Sequence, residues 1–148
     1  MELSNKFSDL NIIVRPHPNE NIVPYKKLFK SQKNIHVIYE GNVINWILGS
    51  KLVIHYDCTT GIEAKLAGKI PIAYVPKMDD KLVMWLPIYV SEKVNSEKEL
   101  IQILEKYQSS NFEGRDASDK AKMDILNNYF ANVNIDSSPI IVDAINQI

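Results

Sequence analysis

Lys51-Leu52-Val53-Ile54-His55-Tyr56-Asp57-Cys58-Thr59-Thr60-Gly61-Ile62-Glu63-Ala64-Lys65-Leu66-Ala67-Gly68-Lys69 decides the reading of this chain. An apolar run, Lys51 to Ile54, stops at a cluster of hydroxyls and a glycine, and a helix-compatible segment begins there. Strand, polar turn and helix in that order have the shape of a phosphate cradle. A helix N-terminus leaves backbone N–H groups unpaired and carries the positive end of the macrodipole, so an anion placed there gains several donors at once. Thr59 and Thr60 can cap or donate, Gly61 lets a ligand approach the backbone closely, and Glu63 points from the first turn toward whatever the anion is attached to. The same letters also spell a plain helix cap and tight turn with no ligand.

Working outward, strand-like and helix-like segments alternate on both sides of this stretch, the signature of βαβ units and a parallel sheet. Strands are expected at Asp9–Arg15, Ile35–Tyr39, Leu52–His55 and Ile70–Tyr74, with a short fifth at Pro87–Val90. Helices are expected over Asn21–Gln32, with Val23, Leu28 and Phe29 on the inner side, around Val43–Leu48, and over Gly61–Ala67. Beyond Val90 the character becomes helical. Ser96 to Tyr107 opens with Ser96 and Glu99, the spacing of a capping box, and further helices are expected over Ala117–Phe130 and Ser138–Ile148. The expected architecture is therefore α/β: a Rossmann-like, doubly wound parallel sheet of four to five strands with a helical cover, in a single domain over residues 1–148. Its core spans about residues 9–92 and its tail about 95–148.

The chain has 148 residues, enough for one ordinary core. A formal net charge of −1 without a basic run gives no electrostatic footprint for nucleic acid. Apolar runs are broken well short of a membrane span and no signal-peptide h-region opens the chain, so a cytoplasmic protein is expected. One cysteine and three histidines, without helical His spacing or a Cys pair, do not suggest a metal site, and no cofactor is expected.

In an open doubly wound sheet, ligands bind outside the carboxyl ends of the strands. Sorted that way, one pole collects Arg15, His17, Asn19 and Glu20, then Glu40, Gly41 and Asn42, then His55 to Gly61, then Lys77, Asp79 and Asp80. The other pole offers mainly Lys33, Lys51 and Lys69. Arg15-Pro16-His17-Pro18 is the less ordinary part: two prolines hold the backbone on both sides of one imidazole, which lowers the entropy lost in presenting it to a ligand. His17 can offer a hydrogen bond or partial charge to a phosphate, or bond a loop carbonyl. Arg15 adds a permanent charge unless it pairs with Glu20 or Glu40. A Cys58 nucleophile with a histidine base lacks a third group to orient the base. Trp46 and Trp85 fit a core or a pocket wall.

The order Arg-Pro-His-Pro-x-Glu, then Val-x-x-Trp-Ile, then Cys-Thr-Thr-Gly-Ile-Glu-Ala and Gly-Lys-x-Pro resembles the C-terminal half of bacterial surface carbohydrate biosynthesis proteins. These are similar to glycosyltransferases of the two-Rossmann-domain GT-B architecture that carry a His-Pro motif and a Ser/Thr-rich motif. The resemblance covers roughly residues 10–90. It implies a donor domain for a UDP- or CMP-sugar, with His17 as the catalytic residue approaching the donor phosphate. Thr59, Thr60 and Gly61 would form the Ser/Thr motif at the helix N-terminus, with Arg15 and Cys58 beside them and Glu63 on a ribose hydroxyl. In that architecture the acceptor site and usually the catalytic base belong to the N-terminal Rossmann-like half. This chain is thus expected to be part of a two-domain protein, binding donor but inactive alone. Other readings are a non-enzymatic nucleotide or phosphosugar-binding module, a small hydrolase using His17 or Cys58, and half of a UDP-N-acetylglucosamine 2-epimerase. That last family shares the His-Pro turn and Gly-x-x-Glu-Ala helix, but its Thr-Glu-Arg-Pro-Glu segment has no counterpart here.

Overall fold

A computed structural model of the chain describes residues 2–77, 83–110, 119–130, 136 and 138–147. Asp79, Asp80, Ala117 and Ile148, named above, lie outside the described residues. The chain forms two compact units, Met1–Asn45 and Trp46–Ile148.

The first unit carries α1 (Glu2–Lys6), β1 (Ile12–Val14), α2 (Ile22–Leu28) and β2 (Ile35–Val37). β1 and β2 pair in parallel, Ile12 with Ile35 through Val14 with Val37. The helix α1, which no apolar periodicity announces, buries Ser4, and Phe7 in the turn just after it is 2% exposed. Asn34 fastens it: Nδ2 lies 3.0–3.2 Å from the carbonyls of Ser4, Phe7 and Leu10, and the Ser4 hydroxyl reaches the Asn34 and Gln32 side chains. Carbonyls left open at the end of a short helix are thereby satisfied. α2 is shorter than expected and turned differently. Asn21 caps it by accepting the Val23 N–H at 3.0 Å, but no α2 residue is buried, and Val23 and Leu28 are 63% and 58% exposed. The expected inner face is corrected at Val23 and Leu28, while Phe29 at the helix end is half-buried: an i, i+5 pair of apolar residues does not make a stripe on a two-turn helix.

α3 (Val43–Gly49) begins in the first unit and ends in the second, with Ile47 buried and Trp46 half-buried. The second unit continues with β3 (Leu52–His55), α4 (Thr60–Leu66), β4 (Ile70–Tyr74), α5 (Trp85–Tyr89), β5 (Glu92–Val94), α6 (Glu97–Ser109), α7 (Asp119–Tyr129) and α8 (Ser138–Asn146). Its three strands form a parallel sheet in the order β3-β4-β5. β4, flanked on both sides, buries Pro71, Ile72 and Ala73, which is why its sequence is a continuous apolar run. α4 ends on Gly68 at φ +72°, with the Lys69 N–H bonded to the Ala64 carbonyl at 2.9 Å. That Schellman geometry favours glycine.

Two expectations are corrected. Pro87–Val90 is not a strand: Pro87 sits in the first turn of α5, where its missing N–H costs nothing, and the fifth strand is Glu92–Val94. β5 is short, charged and at the sheet edge, so it lacks an apolar signature. The five strands are also divided among the described residues into a two-stranded and a three-stranded parallel sheet, and neither has four or five.

The core of the second unit unites Ile62, Val90 and Leu126 with Leu86 and Met123, and beside it Ala73, Val75 and Ile88 with Val83. α6 contributes Leu100, Ile101, Leu104 and Tyr107. Its Ser96 cap accepts the Glu99 N–H at 3.2 Å, while the Glu99 carboxylate accepts the Asn95 N–H at 2.8 Å, one residue earlier than in a regular capping box.

Candidate functional site: two carboxyl-end loops

Each sheet presents the loops that follow the carboxyl ends of its parallel strands. In the first unit the loop after β1 holds His17 exposed above a buried Pro16. The Asn19 N–H donates to His17 Nδ1 at 3.2 Å, so the neutral imidazole carries its proton on Nε2. The His17 N–H donates to the Glu20 carboxylate at 2.7 Å, the Tyr25 hydroxyl donates to the same carboxylate at 2.7 Å, and the Glu20 N–H returns to the His17 carbonyl at 2.8 Å. The Tyr25 hydroxyl and then the His17 N–H hold the Glu20 carboxyl below the usual range, and Glu20 in turn raises the Tyr25 phenol. Tyr39 closes the loop from β2 by donating to the Pro18 carbonyl at 2.6 Å.

Arg15 acts on the loop after β2 in two ways: after backbone hydrogen bonds and the Lys26 charge, its own charge helps hold the Glu40 carboxyl below the ordinary range, and its guanidinium bonds two carbonyls there. Nη1 donates to the Glu40 carbonyl at 2.9 Å and Nη2 to the Gly41 carbonyl at 2.5 Å. Its guanidinium thus ties the loop after β2, where Gly41 turns at φ 77°, to the end of β1. Two of its donor nitrogens are spent inside the protein, though its charge remains.

In the second unit the turn from β3 into α4 departs from an open cradle. The Gly61 N–H bonds the Cys58 carbonyl at 3.1 Å, and the Ile62 and Glu63 N–H groups bond the Thr59 carbonyl at 2.9 and 3.0 Å. These first-turn amides are therefore occupied by the turn itself. Thr59 stands at the N-cap position with helical dihedrals and makes no side-chain cap, its hydroxyl lying 3.5 Å from Glu63 Oε1. Thr59 is exposed and Thr60 half-buried, so hydroxyls replace amides as the groups on offer. Cys58 is exposed with a free thiol. Glu63 Oε2 is buried without a hydrogen-bond partner.

Gly61 also has another use than ligand approach. A Cβ there would come 2.6 Å from Cε1 and 3.0 Å from Cδ2 of His55, so the imidazole of β3's last residue occupies the space a side chain needs. Gly61 is not among the glycines at positive φ, and packing is the reason for it. His55 is 7% exposed, with Nε2 2.7 Å from Ser91 Oγ, and Ser91 donates to the Pro87 carbonyl at 2.6 Å. Burial pushes its pKa down to about 4, against a smaller upward pull from Asp57. His55 faces the interior, so it does not join a ligand-facing histidine set. Among the described residues no group of three or more His, Cys, Asp or Glu side chains could hold a metal ion.

The structure thus leaves His17, in the first unit, and Cys58, Thr59, Thr60 and Glu63, in the second, at carboxyl-end loops of their own sheets. It assigns Arg15 and Gly61 internal work. Sequence reasoning missed the His55–Ser91 link, because 36 residues separate the two and neither sits in a motif.

Comparison of the chain with protein-family models, with curated proteins and with solved structures finds no match. No helix among the described residues is long and apolar enough to cross a membrane.

Proposed function

We propose that this chain is the nucleotide-sugar-binding domain of a glycosyltransferase-like protein of surface polysaccharide biosynthesis, taking a UDP- or CMP-sugar in the cytoplasm. The reading includes a Rossmann-like, doubly wound arrangement of the GT-B C-terminal type and a partner N-terminal half that supplies acceptor and base. The observation that carries it is His17: an exposed imidazole between two prolines, held by Asn19 in the tautomer that points a donor, Nε2–H, outward from the carboxyl end of β1. A donor so fixed suits the phosphate that leaves when the bond from the sugar's anomeric carbon to the phosphate oxygen breaks. In the second unit, by themselves, Thr59 and Thr60 present hydroxyl donors after the carboxyl end of β3, with Cys58 beside them and Glu63 in the first turn of α4 for a ribose hydroxyl. Arg15 contributes long-range positive charge only.

Isothermal titration of the chain with UDP and with CMP tests this. His17→Ala should weaken binding by roughly 1.5–3 kcal/mol and Thr60→Val by roughly 0.5–1.5 kcal/mol. Nucleotide affinity unchanged in each of the two variants removes the reading. Sugar transfer by the two-domain protein, lost with His17→Ala, separates the enzyme from a binding module.

A further inference from the structure

His55 is the one buried imidazole in the chain's described loops and strands, and its contacts run two ways. Its ring lies over Gly61 of α4, so closely that no side chain fits there. Its Nε2 meets Ser91 Oγ at 2.7 Å, at the corner between α5 and β5. Ser91 has one hydroxyl proton and gives it to the Pro87 carbonyl at 2.6 Å, so Nε2 must carry the proton and donate to Ser91 Oγ. Nδ1 is then a bare acceptor, buried and without a partner, which leaves Ser91 as the hydrogen-bond anchor of the ring. Ser91 is fixed in turn: 5% exposed, it accepts at its carbonyl from Lys122 Nζ of α7 at 3.3 Å. The ring presses on the residue whose N–H closes the Cys58–Gly61 turn, and that turn carries Thr59 and Thr60.

We infer that His55 is a positioning residue: clamped by Ser91, its imidazole sets the β3–α4 turn through Gly61 and so fixes where the Thr59 and Thr60 hydroxyls are presented to a phosphate. The last clause rests on the nucleotide reading above, and the clamp itself does not. A ring stacked on a glycine transmits position because the backbone has no side chain to yield in its place. The neighbouring Thr59 lacks a side-chain cap bond, so the turn is not set by its own hydroxyl.

The test uses the full chain and Ser91→Ala. Nitrogen-15 NMR of the unaltered protein should show the His55 proton on Nε2, a readout that holds whether or not the variant folds. In Ser91→Ala, amide exchange at Gly61 and Ile62 should rise about tenfold while Ile72 and Ala73 of β4 keep their rates, as expected for loss of one hydrogen bond to a local opening. UDP affinity should fall about fivefold on the same argument. A proton on Nδ1, exchange that rises uniformly or not at all, or equal UDP affinity in both proteins overturns the inference. If the unaltered chain binds no nucleotide, the phosphate reading fails with that clause, and the tautomer and the exchange pattern still decide the clamp.

Discussion

At the scale of the residue, the physics of this chain is concentrated where a polar group is buried. His55 is neutral in the folded state because burial disfavours its charged form, with a pKa near 4 against 6.5 when exposed. Between these values the unfolded chain binds a proton that the folded chain refuses. Stability is therefore full above about pH 6.5, falls as pH drops toward 4, and stops falling from this source below 4. At about 1.4 kcal/mol per pH unit the loss is roughly 3 kcal/mol. Urea melts of the unaltered chain and His55→Gln between pH 4.5 and 7 should show the slope in the first and a flatter line in the second. The acid limb from Glu20 and Glu40, whose carboxyls are held below their ordinary value, belongs to lower pH. Gly61→Ala forces a methyl into the same imidazole and should cost about 1–3 kcal/mol, recovered in part when combined with His55→Ala. Equal destabilisation in both backgrounds would show that the ring does not own that space. Of these two residues the sequence displayed the identity but not the contact.

At the scale of the element, the reading succeeded where a short stretch contains its own reason. β3 and β4 run over Leu52–His55 and Ile70–Tyr74 as their apolar runs say, and Ser96 with Glu99 opens α6. It failed where the reason lies elsewhere. β5 is a strand because β4 offers it an edge, α5 is a helix although Pro87-Ile88-Tyr89-Val90 looks extended, and α1 is held because Asn34 collects the Ser4 carbonyl and that of Phe7 just beyond it. Two of the helix starts with hydroxyl residues, those of α4 and α6, make a sharp contrast. Ser96→Ala removes a cap bond and should cost about 1 kcal/mol in a denaturant melt, whereas Thr59→Ala removes none and should leave stability within about 0.5 kcal/mol. A matching loss at Thr59 would mean that its hydroxyl supports the helix after all and is not on offer to a ligand.

At the scale of the whole molecule, α7 belongs to the core of the second unit. Leu126 is fully buried against Ile62 and Val90, so Leu126→Ala should cost about 2–5 kcal/mol and lower the melting temperature of the unit that holds α4. A near-neutral result would make α7 a loose cover. If the chain binds a nucleotide, ligand at a hundred times its dissociation constant should add about 2.7 kcal/mol, seen as a rise in melting temperature with UDP or CMP that His17→Ala cuts by about half or more. The sequence by itself determined the alternation of strands and helices, the parallel pairing that such alternation requires, and the polar loops at the strands' carboxyl ends, because hydrophobic period, turn residues and caps act over a few residues. Only the tertiary structure decided that five strands divide into sheets of two and three, that Arg15 clamps carbonyls, and that Gly61 makes room for His55 rather than for a ligand. Those outcomes depend on which distant groups compete for the same donor or the same space, and no local pattern encodes that competition.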